Sequence, residues 1–160
     1  MQRALLYIVS VFSAGVFLFS CNGNGDTDPQ GEKSKEQLAT EALTGGNHLV
    51  WTVANGGSVT KDGQQITADY QNFELSLISN ANDNTYSSKP NPLFDLLGSW
   101  SFAGENFDKI QLTGELPAAG KEIAFTRNGD QLRLVFTVPA PSNARVNALA
   151  GSYVFELVKK

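Results

Sequence analysis

The chain has 160 residues, with 12 lysines and arginines, 16 aspartates and glutamates and one histidine, for a formal net charge of −4. This mild acidity argues against nucleic acid as a partner, because phosphate recognition needs basic patches, and against polybasic attachment to anionic lipid. The sole cysteine, Cys21, permits no internal disulfide.

Arg3 is the only charge before Asp26, and the run from Ala4 to Phe19 is apolar apart from Tyr7, Ser10, Ser13 and Gly15. A basic start, a short apolar stretch and small residues before a break form a secretory signal. The run is short for a membrane span, which needs about 20 apolar residues. The chain then turns sharply polar, in Asn22-Gly23-Asn24-Gly25-Asp26-Thr27-Asp28-Pro29.

The run closes on Leu18-Phe19-Ser20-Cys21, which resembles the lipobox of bacterial lipoproteins: an aliphatic residue, a loosely defined one, a small one, then cysteine. The resemblance covers residues 1–21. It implies that residues 1–20 are a cleaved signal peptide. Cys21 then becomes the N-terminal residue, thioether-linked to diacylglycerol and carrying further acyl chains such as palmitate. One acyl chain gives only marginal membrane binding, at about 0.8 kcal/mol per buried CH₂, whereas two or more give a stable anchor. Asn22 is not acidic, and by the same resemblance this implies the outer membrane of the cell envelope. Loss of residues 1–20 would remove only Arg3 from the charged residues, leaving a net charge of −5.

Residues 21–31 comprise that cysteine and a flexible tether, since Gly, Asn, Asp and Pro offer little to bury and favour open turns. Ten such residues span roughly 17–19 Å r.m.s.. Asn24 to Asp28 has a superficial calcium-loop spacing, but the mid-loop glycine and terminal glutamate of such loops are missing. Residues 32–45 predict a short helix. Ser34 is its N-cap with Gln37 as capping-box partner. Leu38, Ala39, Ala42 and Leu43 form its apolar face, and Gly45-Gly46 its stop.

From residue 46 to residue 160 the period changes to two. Leu49, Trp51 and Val53 alternate, as do Phe73, Leu75 and Leu77, then Trp100 and Phe102, then Ile110 and Leu112. Ile123 and Phe125 face Leu132, Leu134, Phe136 and Val138 across Asn128-Gly129-Asp130, where Asn-Gly suits the positive φ angles of a tight turn. Tyr153, Phe155 and Leu157 form the last strand. Turn chemistry falls at Asn55-Gly56-Gly57, Lys61-Asp62-Gly63, Asn80 to Asn84, Lys89 to Pro92 and Pro139 to Pro141. About eight or nine short strands of this kind predict an all-β fold, an antiparallel barrel or a two-sheet sandwich. Strict alternation means one buried and one wet face. A weak internal echo joins Leu97 to Phe102 with Ala150 to Phe155. Both enter a strand through Gly-Ser, where glycine allows a bend or a close backbone approach.

Gly98-Ser99-Trp100 is a Gly-x-Trp sequence, and alternating meander strands come after it. On these features the domain resembles the lipocalin-like domains of small bacterial lipoproteins, over roughly residues 43–159 in strand pattern. The resemblance implies an up-and-down barrel with an interior cavity. In that superfamily the motif marks the first barrel strand, whereas here strands precede it.

Candidates for chemistry are sparse. His48, before a strand, lacks companions at metal-ligand spacing, and no Gly-x-Ser-x-Gly elbow accompanies it. Among the carboxylates, Asp69, Glu74 and Asp95 lie nearest apolar runs and are the first suspects for a raised pKa. Asn80-Ala81-Asn82-Asp83-Asn84 is an oxygen-rich loop that reads as an Asx turn before it reads as a calcium site. The aromatics least committed by alternation are Tyr70, Tyr86, Phe94 and Phe107, and these are the expected rim of any binding site. The expectation is a non-catalytic binding or accessory module with no cofactor or metal. It would be held to the membrane by lipid and would serve a small apolar ligand, a glycan or an envelope protein. An assembly lipoprotein with a packed core is the alternative, and a hydrolase a remote one.

Overall fold

In a computed structural model that describes residues 32–140 and 148–160, the capping box at Ser34 forms as the sequence predicts. Ser34 Oγ accepts from the Gln37 N–H, and Gln37 Oε1 accepts from the Ser34 N–H. The helix α1 (Lys35–Thr44) ends on Gly45 in the left-handed conformation, whose N–H donates to the Glu41 carbonyl. Leu43 is fully buried, which contributes about 1.5–3 kcal/mol for a side chain of this size. Leu38, placed by its spacing on the same face, is instead 54% exposed. The buried stripe is narrower than expected: only Leu43 and Thr44, in the last turn of α1, are buried. The lipobox, Cys21 and the tether lie outside the described residues.

Among the described residues there are ten strands: β1 (His48–Thr52), β2 (Ser58–Lys61), β3 (Gln64–Gln65), β4 (Glu74–Ser79), β5 (Asn84–Ser88), β6 (Leu97–Phe102), β7 (Lys109–Leu112), β8 (Ile123–Asn128), β9 (Gln131–Val138) and β10 (Gly151–Lys159). A 3-10 helix, Thr67–Tyr70, separates β3 from β4. All pairings are antiparallel, in the order β1-β4-β5-β6-β7-β8-β9-β10-β2-β3, and β1 also pairs with β10. That last pairing closes the sheet on itself. The fold is therefore an eight-stranded barrel with β2 and β3 added, not a sandwich. Closure removes the exposed edges that an open sheet would leave.

The closing seam has an unusual form. On one side of β10 lies β9 along its length. On the other side lie β2, opposite Tyr153 to Glu156, and then β1, opposite Val158 and Lys159. β1 and β2 thus share one flank, broken at Val53 to Gly57. The Gly-x-Trp sequence falls on β6, the fourth barrel strand counted from β1.

Two glycines explain the internal echo. A Cβ on Gly98 would lie 2.5 Å from the Tyr86 ring, and one on Gly151 would lie 2.6 Å from the Asp62 carboxylate. Each strand entry is a close approach that only glycine permits. At the β8–β9 hairpin the turn differs by one position from the expected one. Asn128 pairs with Gln131, so Gly129 and Asp130 are the two loop residues, and only Gly129 (φ 59°) has positive φ. Glycine at the first central position is the type II′ preference, whereas Asn-Gly as the central pair would give type I′. The hairpin with positive φ at both loop residues is β2–β3, at Asp62 (φ 50°) and Gly63 (φ 79°).

Inward-facing residues pack against one another inside the barrel. Tyr70, Phe73, Phe94, Phe136, Tyr153 and Phe155 form one ring cluster with centroid separations of 5.1–6.4 Å. These are the distances of edge-on and offset aromatic contacts. Trp51, Leu75, Leu77, Ile110, Ile123, Leu132 and Leu134 extend the core, all fully buried.

Candidate functional site

The barrel has two ends. One carries α1, the β4–β5, β6–β7 and β8–β9 connections and the C-terminus; this is the helix end. The other carries the 3-10 helix, the β5–β6 and β7–β8 connections, the end of β9 and the start of β10; this is the far end. At the helix end, the Trp51 indole N–H donates to the Leu43 carbonyl at 2.8 Å. Arg127 lies over the Trp51 ring at 5.4 Å and donates to the Glu41 and Ala42 carbonyls at 3.0 and 3.2 Å. One guanidinium thus donates to two carbonyls of the last helical turn, of which that of Glu41 also accepts from Gly45, and stacks on an aromatic face.

Three of the four aromatics expected at a rim are buried, and the fourth lies apart from Tyr70 and Phe94. Tyr70, Tyr86 and Phe94 are 5%, 2% and 1% exposed. Phe94 contacts Phe73, Phe136 and Phe155. The Tyr86 hydroxyl donates to the Thr113 carbonyl at 2.7 Å, and burial is the main reason its pKa is pushed up to about 12. Phe107 is half-buried against Phe102 at the helix end, away from Tyr70 and Phe94. Tyr70 and Phe94 turned inward because the connections they sit on fold across the barrel mouth, whereas Tyr86 is the inward-facing residue of β5.

The far end is held by two Asx contacts. Asn91 Oδ1 accepts from the Leu93 and Phe94 N–H groups, while its Nδ2 donates to the Lys89 carbonyl and the Ser88 hydroxyl. Asp95 Oδ2 accepts from the Glu115 and Leu116 N–H groups at 3.0 and 2.9 Å, tying the β5–β6 connection to the β7–β8 connection. Asp95 is thus a loop brace. Between the 3-10 helix and the β5–β6 connection lies a cleft of about 210 Å³, lined by Ala68 to Phe73 with Pro90 and Asn91.

The remaining candidates separate. Glu74, suspected of a raised pKa, moves the other way. Hydrogen bonds from Lys160 and Lys89, at 2.8 and 3.0 Å, hold its carboxyl below the usual range. These bonds stabilise the charged form more than its slight burial opposes it. Asp69 is exposed beside the cleft. His48 Nε2 lies 2.8 Å from Ser76 Oγ on the wet outer face of β1 and β4. Asn80 to Asn84 line a second, polar cleft of about 250 Å³ together with Glu36 and Thr40. Among the described residues, no group of three or more His, Cys, Asp and Glu side chains could hold a metal ion.

Sequence reasoning missed Arg127 and the cleft at Ala68 to Phe73. Periodicity marks faces of strands, and it carries no signal for where a connection folds. No family model matches the chain, and no curated protein or solved structure matches it.

Proposed function

We propose that the chain is a lipid-anchored envelope lipoprotein, on the strength of the lipobox at Leu18 to Cys21, whose barrel is a non-catalytic binding or accessory module acting through its outer surface. The observation that carries the second half is the ring cluster. The aromatics that could have lined a calyx contact one another at 5.1–6.4 Å instead. That packing favours a glycan or an envelope protein over an apolar molecule held inside. The separate surroundings of His48, Glu74 and Asp95 support a non-catalytic role.

A specific observation also favours the assembly reading. Leu96 and Leu97, adjacent at the far end, are 55% and 75% exposed. Exposed apolar pairs of this kind mark contact surfaces when they belong to a larger patch.

The anchor is tested by membrane fractionation and acyl labelling in a bacterial host. Cys21→Ala is expected to abolish labelling and to release or misprocess the protein. Unchanged fractionation with the membrane would overturn the anchor.

A further inference from the structure

The cleft at the far end holds a buried tyrosine whose hydroxyl the fold does not use. Tyr70 is only 5% exposed, with its ring held edge-on against Phe155 at 5.2 Å. Its hydroxyl has no hydrogen-bond partner among the described residues. Yet among those residues no fully buried side-chain oxygen or nitrogen lacks a partner. The hydroxyl is therefore the part of Tyr70 that reaches the surface, where the residue lines the cleft. The Asp69 carboxylate, on the same wall, is close enough to contribute to raising the Tyr70 pKa, after burial and Tyr153.

We propose that this cleft is a subsite for one neutral, polyhydroxylated unit, a monosaccharide or the terminal sugar of a glycan, with the hydroxyl of the otherwise buried Tyr70 as its polar contact. The proposal rests on the reading of the domain as a binding module and names the ligand class. Asp69, Gln71 and Asn72 line the cleft with side chains that make no hydrogen bond to any described residue. Asn91, by contrast, is occupied in bracing its own loop.

The chemistry selects the ligand. A phenol and primary amides each donate and accept, as sugar hydroxyls do. Among the described residues no lysine or arginine lines the cleft, so nothing there neutralises a phosphate or carboxylate. One carboxylate without a second does not make a cage for a metal cation. Ala68, Phe73 and Pro90 supply apolar wall for the C–H faces of a sugar. The volume of about 210 Å³ lies below the roughly 300–1,000 Å³ of drug-sized sites. It suits a single ring, not a lipid or an extended chain.

The test uses the detergent-solubilised full chain. Saturation-transfer NMR is run with glucose, galactose and N-acetylglucosamine, and with inorganic phosphate and methylammonium as charged probes. At least one sugar is expected to bind saturably. Tyr70→Phe, which keeps the ring and removes only the hydroxyl, is expected to weaken that binding about 2- to 12-fold, the range for one hydrogen bond. Its melting temperature should not fall, because the hydroxyl bonds nothing in the domain. Asn82→Ala, in the cleft at the helix end, should bind as the wild type does. The proposal is overturned by no saturable sugar binding, by unchanged binding in Tyr70→Phe, by a charged probe binding in place of sugar, or by a lowered melting temperature in Tyr70→Phe. Membrane fractionation of wild type and Cys21→Ala is read separately. A chain that fractionates with the membrane and binds no sugar loses this proposal and keeps the anchor.

Discussion

At the helix end of the barrel, closure depends on one latch: Arg127 stacks on Trp51 and donates to two helix carbonyls, and Trp51 donates to a third. At the far end, closure is the core itself, since Tyr70 and Phe94 come from connecting segments yet sit in the same ring cluster as Phe136 and Phe155. The first closure is polar and directional, and removing it frees a helix. The second is apolar and shared, and removing it empties the barrel. A damaged helix end should fray locally, whereas a damaged far end should lower the stability of the whole domain.

Damage to the shared core should cost the most. Phe155→Ala removes a ring that touches Tyr70, Phe73, Phe94, Phe136 and Tyr153. It should destabilise by about 3–5 kcal/mol in urea unfolding, with loss of hydrogen-exchange protection in every strand. Arg127→Ala should cost about 1–3 kcal/mol, from the lost stacking and the lost hydrogen bonds to the Glu41 and Ala42 carbonyls. Its hydrogen-exchange signature should be confined to α1 and the start of β1. Protection lost equally in β9 and β10 would erase the distinction between the two ends.

A more modest loss refines the hairpin at the helix end. Gly129→Val places a β-branched residue at φ 59° and should cost about 1–2 kcal/mol in unfolding free energy, whereas Asn128→Val, at a strand position, should cost less. Equal losses would return the turn to the type I′ arrangement.

The weakest contribution lies on the wall between the ends. The folded-state pKa of Glu74 is lowered by hydrogen bonds from Lys160 and Lys89. Its contribution is therefore fully present above the ordinary glutamate range and is lost as pH falls through the lowered value. The pairs are partly exposed, so the contribution is below about 1 kcal/mol. Glu74→Gln should lower the urea midpoint at neutral pH and converge with wild type in acid. A gap that widens on acidification would reverse the sign of the shift.

The two ends also differ in how far the sequence revealed them. Ser34, Gln37 and Gly45 announce α1 because caps are local chemistry. Strands with two or more alternating large residues are equally legible. β5 is not, because Tyr86 is its only large apolar residue among Asn84, Thr85, Ser87 and Ser88. Barrel and sandwich share one alternation, and the β1–β10 pairing that separates them is long-range. The latch is hidden for a similar reason: Arg127 flanks a hairpin turn, where a charged residue usually faces water. The rim candidates are the most instructive case. Tyr70, Tyr86 and Phe94 lie outside the clear runs, which suggests freedom to bind. Burial of large rings takes them inward instead, and at Tyr70 leaves only the hydroxyl at the surface.

Whether the barrel is filled and works through its outer surface can be decided by titrating the folded protein with a fluorescent fatty-acid probe. A filled barrel gives no saturable fluorescence enhancement and no change in Trp51 or Trp100 emission. Saturable one-to-one binding that quenches tryptophan and is displaced by unlabelled fatty acid would contradict it.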